Sequence, residues 1–317
     1  MKILVTGSAG HLGEALVRTF RERRVEVVGV DVLDSPFTDV RGSIVDRTVV
    51  DRCMQGVTAV VHAGTLHKPH VATHDRQAFV DVNVSGTLQL LESAVAHQVK
   101  CFIYTSTTSS FGDALTPPAG APAAWITEDV VPIPKNIYGV TKVAAEDLCR
   151  LFHRNQRLPC LVLRTSRFFP EGDDIDHMRS AYEGDNLKVN ELLYRRVDVA
   201  DVVAAHQCAI DKAAELGFGR FIISATTPFE PADAADLGHD APAVLARRVP
   251  GYREIYAARG WKMLPTLDRV YDNQLARHLL GWRPQYDFSR ALAAVAGGGD
   301  WRSPLARAVG AKGYHRQ

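Results

Sequence analysis

The chain has 317 residues, 46% hydrophobic and 23% charged, with 37 basic against 36 acidic side chains for a formal net charge of +1. So even a balance excludes the basic excess of a general nucleic-acid binder or a polybasic membrane-surface protein. No apolar run approaches the ~20 residues of a membrane span. Cys53, Cys101, Cys149, Cys160 and Cys208 form no C-x-x-C pair and no zinc-ligand spacing, which fits reduced thiols. Met1 to Val5 runs straight into a glycine loop, with no signal-peptide pattern, so a cytoplasmic location is expected.

In chain order, apolar runs at Lys2 to Val5, Glu26 to Val30, Ala59 to His62 and Cys101 to Thr105 predict strands. Their Val and Ile are continuous rather than alternating, the pattern of strands covered on both faces. Between them, Glu14 to Arg23, Val49 to Gln55 and Ser85 to His97 carry apolar residues at helical spacing. In the last, Leu88, Leu91 and Val95 share a face. A helix from Tyr138 to Arg154, a strand from Cys160 to Arg164, a helix from Val199 to Ala214 and a strand from Arg220 to Ser224 continue the series. This alternation predicts an α/β fold: a Rossmann-type doubly wound parallel sheet with a smaller C-terminal substrate lobe. Residues 1–168, rejoined by 195–228, are assigned to the sheet domain, and 169–194 with 229–317 to the lobe. The Pro-, Ala- and Gly-rich stretch from Leu115 to Pro134 predicts a surface loop, and the chain from Gly297 onward a loosely held tail.

Gly7, Gly10 and Gly13 follow the first strand and open a helix, in Gly7-Ser8-Ala9-Gly10-His11-Leu12-Gly13. Glycines at this spacing let backbone approach a pyrophosphate and let helix pack on strand, while the helix N-terminus offers N–H groups to the anion. His11 and Leu12 lie within that loop. Asp31 closes the second strand about twenty residues on, where a carboxylate accepts hydrogen bonds from ribose hydroxyls and repels a 2′-phosphate. Val32-Leu33-Asp34-Ser35 adds no Lys or Arg, so NAD is expected over NADP. Asp46 is placed either against the adenine amino group or in a solvated loop.

Tyr138 and Lys142 stand four residues apart, on one helical face. A phenol of pKa about 10 becomes an acid/base catalyst when a nearby ammonium favours the phenolate. Lowering that pKa by ~3 units takes about 4 kcal/mol of differential interaction.

Taken together, the glycine loop, Asp31, Asn83, the Ser/Thr-rich stretch from Tyr104 to Gly112 and Tyr138-x-x-x-Lys142 resemble the extended short-chain dehydrogenase/reductase family, closest to its NAD-dependent epimerase/dehydratase branch. Thr127-Glu128-Asp129, Arg196-Val197-Asp198-Val199-Ala200-Asp201 and Leu279-Leu280-Gly281-Trp282-Arg283-Pro284 extend the likeness along most of the chain. The resemblance implies a Thr or Ser that binds the reacting oxygen. Counting back from Gly112 places it at Thr107, with Ser106 as the fallback. It implies that Lys142 hydrogen-bonds the nicotinamide ribose, that Asn83 lies near the cofactor or caps a helix, and that Gly64 and Thr65 neighbour NAD. It also implies a homodimer through the helices at 85–97 and 138–154.

Substrate contacts are expected from His67, Thr108 or Ser109, and Arg167. Where relatives that use nucleotide sugars usually carry Asn, this chain has Arg167, and the link from there to Val197 is about half the usual length. Arg167 therefore reads either as a clamp for an anionic or highly hydroxylated small molecule or as a partner for the acidic stretch from Glu171 to Asp176. His62, His67, His70 and His74 lack an accompanying acid at ligand spacing, and no metal site is expected. The function expected is NAD-dependent hydride transfer at a secondary hydroxyl of a sugar or sugar acid. The alternatives are a redox-neutral sugar or nucleotide-sugar epimerase or dehydratase, and a non-catalytic NAD-sensing module.

Overall fold

Seven parallel strands form the main sheet of the computed structural model, which describes residues 1–118, 120–173 and 176–313. They are β1 (Lys2–Thr6), β2 (Glu26–Asp31), β3 (Val40–Arg41), β4 (Ala59–His62), β5 (Cys101–Thr107), β7 (Cys160–Thr165) and β8 (Phe218–Ile223), while β6 (Ala124–Ile126) and β9 (Arg269–Tyr271) pair separately. The sheet order is β3-β2-β1-β4-β5-β7-β8. The order reverses between β1 and β4, so a crevice opens at their carboxyl ends, where doubly wound sheets bind ligands.

Side chains alternate across each strand. Ile3, Val5, Val61, Ile103 and Leu163 face α1 (His11–Glu22) and α8 (Val199–Leu216). Leu4, Val60, Phe102 and Val162 face α2 (Arg47–Met54), α4 (Gly86–Ala96) and α5 (Ile137–Gln156). The short α3 (Arg76–Phe79) reaches α4 through a π-helical segment, Val80–Ser85, which carries Asn83.

The lobe has its own core of Leu187, Leu193, Tyr194, Phe229, Leu245, Tyr256, Phe288 and Trp301. Its helices are α6 (Asp176–Ala181), α7 (Gly184–Glu191), α9 (Ala234–Leu237), α10 (Ala241–Arg248), α11 (Tyr252–Arg259) and α13 (Phe288–Ala296), while α12 (Gln274–Leu279) and α14 (Pro304–Val309) pack on the sheet domain.

Three expectations need correction. The stretch from Leu115 to Pro134 is not all surface loop, because it contributes β6, whose Ile126 is buried against Phe111 and Tyr271. Proline and alanine hid a three-residue strand that draws its order from pairing with β9. As far as Gly313 the tail is not loosely held, residues 314–317 lying outside the described ones: Trp301, Ser303 and Val309 are buried, the Ser303 N–H donates to Asp198 at 2.9 Å, and α14 packs on α1 and α8. Ala276, Leu280, Trp282 and Val309, assigned by sequence to the lobe, belong to the core on the α1/α8 face of the sheet. There Trp282 Nε1 donates to the Asp201 carbonyl at 3.0 Å, and the Asp201 carboxylate accepts from the N–H groups of Gln285 and Tyr286, both at 2.8 Å.

Candidate active site

The glycine loop is a cradle that any side chain would fill. Gly7 has φ +74°, and a Cβ there would lie 2.7 Å from Gly64 Cα. A Cβ on Gly13 would lie 1.9 Å from the Gly7 carbonyl oxygen. The loops after β1 and β4 are thus in backbone contact. The α1 N-terminus begins at Gly10 with no side-chain cap, whereas α2, α5, α8, α13 and α14 are capped by Asp46, Asn136, Asp198, Asp287 and Ser303. The first N–H groups of α1 therefore face outward to an anion. Asp31 sits at the rim: one carboxylate oxygen accepts from Ala9 N–H at 3.0 Å, the other from Leu33 N–H at 2.9 Å. This backbone fits a dinucleotide.

One oxygen of the Asp46 carboxylate accepts from the N–H groups of Thr48 and Val49 as the α2 cap. Leu12 is buried in the sheet core, and the His11 ring pairs with Glu171 at 2.9 Å, so both offer the cradle only backbone. Although burial opposes its charge, Glu171 is held down to about 2 by His11 and the Lys312 N–H. Arg41, which sequence spacing did not single out, pairs in register with Asp31 from the two-residue β3.

Behind the cradle runs a chain of hydrogen bonds. Thr6 Oγ1 accepts from the Ala63 and Gly64 N–H groups at 3.1 and 2.9 Å, so its own proton goes to His62 Nδ1 at 2.7 Å. Thr87 donates to the Asn83 carbonyl at 2.7 Å and accepts from His62 Nε2 at 2.9 Å. Both ring nitrogens are thereby assigned, and burial, with the Lys142 charge, holds His62 neutral, well below its usual range. The Asn83 side chain accepts from Thr65 Oγ1 and Leu66 N–H, both at 2.8 Å, and donates to the Leu66 carbonyl at 2.9 Å and Thr141 Oγ1 at 3.0 Å. It is fully used by protein and caps no helix; it ties the β4 loop to α5.

On α5, Tyr138, Lys142 and Glu146 repeat every fourth residue on one buried face. They meet three consecutive residues at the carboxyl end of β5. The Tyr138 phenol interacts with the Thr107 hydroxyl. Lys142 Nζ donates to the Thr105 carbonyl at 2.7 Å and lies 4.1 Å from the centre of the Tyr104 ring. Ser106 Oγ donates to Glu146 at 2.6 Å and is closed off from the cleft, which leaves Thr107 as the hydroxyl at the strand end. Burial pushes Tyr138 up to about 12, with Thr107 working in the opposite direction. This reverses the expected lowering by Lys142, whose ammonium is turned to the Thr105 carbonyl and is itself pushed down to about 7 by burial.

On the substrate side, two of the expected residues make contacts within the protein. Thr108 is buried in a 3-10 turn and donates to the Thr165 carbonyl at 3.5 Å; Ser109 beside it is exposed. The Arg167 guanidinium is bound to the carbonyls of Glu171 and Gly172 and lies 3.9 Å from Asp173, the acidic-stretch reading rather than the clamp. His67 begins the short 3-10 segment Lys68–Ala72, its ring edge-on to His70 with centroids 4.5 Å apart. Among the described residues, no group of three or more His, Cys, Asp or Glu is placed to hold a metal ion, and no helix is long and apolar enough to cross a membrane.

Comparison with known proteins matches residues 3–223 to the model of the NAD dependent epimerase/dehydratase family. The chain is 28% identical over 340 residues to a dTDP-glucose 4,6-dehydratase of Streptomyces antibioticus, covering 95% of this chain and 92% of that one. It is 25% identical over 328 residues to a UDP-glucose 4-epimerase of Halalkalibacterium halodurans, with 90% and 91% covered. Among solved structures, it resembles a short-chain dehydrogenase/reductase superfamily protein from Agrobacterium tumefaciens with bound NAD, at TM-score 0.66 and 27% identity over 94% of this chain and 96% of that one. The same fold appears in a UDP-glucuronic acid 4-epimerase from Bacillus cereus in complex with NAD, at TM-score 0.63 and 22% identity over 96% and 100%. With its parallel sheet, glycine cradle and Tyr138/Lys142 face, this chain belongs to the NAD dependent epimerase/dehydratase family.

Proposed function

We propose that the protein is an NAD-dependent oxidoreductase that interconverts a secondary hydroxyl of a sugar or sugar acid and the corresponding carbonyl. One observation carries the reading: Thr107 and Tyr138 meet at the carboxyl end of β5, with Lys142 one turn along the same helix and the glycine cradle at the neighbouring β1 and β4 ends. When bound, NAD supplies hydride acceptance, and Gly7, Gly10, Gly13, Gly64 and Asp31 would hold it. Thr107 accepts from Ser109 N–H at 3.1 Å, so its own proton is free to point at a reacting oxygen or at the phenol. Tyr138, protonated at neutral pH, donates to an oxygen gaining negative charge in the reducing direction. In the oxidising direction it must first release its proton, so that direction gains as pH rises toward about 12. Lys142 contributes its charge and a ribose hydrogen bond. A homodimer through α4 and α5 belongs to the same reading, supported by exposed Val140 and Leu151 on α5.

A second reading, a redox-neutral epimerase or dehydratase acting on a nucleotide sugar, is favoured by the names of the relatives. Incubation with NAD⁺ and a panel of sugars, sugar acids and nucleotide sugars separates the two: net NADH growth supports the first, isomer or dehydration product without net NADH the second. Tyr138→Phe should lower either turnover by about 100-fold or more while leaving NADH binding intact. Full turnover in that variant removes both.

A further inference from the structure

Glu146 is fully buried two turns along α5 from Tyr138. Its carboxylate accepts from Ser106 Oγ at 2.6 Å, from Arg164 Nε at 3.1 and 3.2 Å and Nη2 at 2.7 Å, and from Arg220 Nε at 3.1 Å. These donors come from β5, β7 and β8, three neighbouring strands. Removing so much charge from water costs several kcal/mol per ion, and a well-packed apolar cluster would stabilise the fold as well or better. Stability alone is therefore a weak reason for this arrangement.

Its position supplies a better one. Lys142 is one turn nearer the cleft on the same face, buried, with one carbonyl acceptor and an aromatic ring as its close partners. Lys142 and Glu146 grip adjacent residues of one strand, Thr105 and Ser106, and Tyr138 meets the next, Thr107.

We propose that Glu146 is a positioning residue for the Tyr138/Lys142 pair. Its carboxylate, locked to three strands, keeps the neighbouring ammonium charged and fixes the height of α5 on the β5 end, so that the phenol meets Thr107. The titratable groups about Lys142 are His62 from β4, Tyr104 from β5, and Tyr138, Glu146 and Cys149 from α5, while Arg164 and Arg220 bind the Glu146 carboxylate. Of these, His62 is neutral, and Glu146 is the carboxylate. Burial moves Lys142 down to about 7, and Glu146 opposes that movement.

The proposal rests on the cofactor reading above, and its test separates the two. NADH binding is followed by nicotinamide fluorescence across pH for the wild type, Glu146→Gln, Glu146→Asp and the double variant Glu146→Gln/Arg164→Met, with melting temperature measured alongside. The double variant removes the carboxylate together with the buried Arg164 cation, and Arg220 keeps Asp147 as a partner, so it folds without a stranded buried cation. Affinity should fall as Lys142 loses its proton. The midpoint of that fall should move down by about one pH unit or more in Glu146→Gln and in the double variant, and return close to the wild-type value in Glu146→Asp. A folded Glu146→Gln or double variant with the wild-type midpoint overturns this proposal alone. Absence of NADH binding in the wild type overturns the cofactor reading and this proposal with it.

Discussion

At the carboxyl ends of β1 and β4, polar groups find their partners across strands. Thr6 serves the loop after β4, His62 joins β4 to Thr87, and Asn83 joins that loop to α5. In the loop after β7, by contrast, charges pair off mainly with near neighbours: Arg167 with the carbonyls of Glu171 and Gly172, Arg195 with Asp173 and Glu191, Arg196 with Glu191. The first region presents a rigid concave backbone with few side chains committed to a ligand. The second is a knot of ion pairs whose side chains are already occupied. A shared cofactor suits the former, because backbone recognition tolerates sequence change elsewhere. In the latter, the guanidinium groups of Arg167, Arg195 and Arg196 are held by carbonyls and carboxylates of the protein itself.

The comparison breaks first at the cradle. Gly13→Ala drives a methyl into the Gly7 carbonyl. It should cost about 3 kcal/mol of stability in a thermal melt and abolish NADH fluorescence enhancement. A variant that melts and binds like the wild type would show that α1 does not seat tightly against the loop after β1.

A framework effect of similar size comes from His206, buried between Thr105 Oγ1 and the Val202 carbonyl, both at 2.8 Å, and pushed down to about 4 by burial. Its folded value lies below the ordinary one, so the stability it contributes is present above pH about 6.5 and is lost as pH falls toward 4, by about 3 kcal/mol. Denaturant melts across that window should be flatter in His206→Phe, and an unchanged slope would assign the acid sensitivity elsewhere.

At the strand end, Thr107→Val should reduce turnover of whichever sugar the panel identifies by about 100-fold, the scale of one lost donor to a reacting oxygen. Thr108→Val should leave it within about 2-fold, since that hydroxyl already serves Thr165. Equal losses would mean that both hydroxyls face substrate. The smallest effect is expected at Arg167. Asp173 keeps Arg195 as a partner when Arg167 is changed, so Arg167→Met should shift KM by less than about 3-fold. A tenfold rise in KM would restore the guanidinium to the pocket and redraw the contrast between the two regions.

Much of the sheet was legible because a buried parallel strand leaves a continuous apolar run, and each such run here sits where a strand lies. The glycines and the Tyr138/Lys142 spacing were legible for a similar reason: backbone closeness and a helical repeat are both written in local sequence. What escaped was decided by register. Ser106 and Thr107 are chemically alike, and only the pairing of β5 with β7 and the approach of α5 send one to Glu146 and the other to Tyr138. Asp46 and Asn83 carried plausible ligand-binding side chains that the fold uses internally. Arg41 lay ten residues beyond Asp31, and a two-residue strand set it alongside. Glu146 stood at the next repeat of the Tyr138/Lys142 spacing, a signal that became informative once its three strand donors were known.

Lys312 gives its N–H to Glu171 and its ammonium to Glu14 of α1, so the far end of the described chain clasps the helix whose first turn faces the cradle. Anything fused beyond it would tug on that clasp within a few residues of the cofactor mouth. A purification handle ahead of the exposed Met1 enters at the amino end of β1, away from the carboxyl ends that carry the cradle, and is the safer choice wherever cofactor affinity is to be measured.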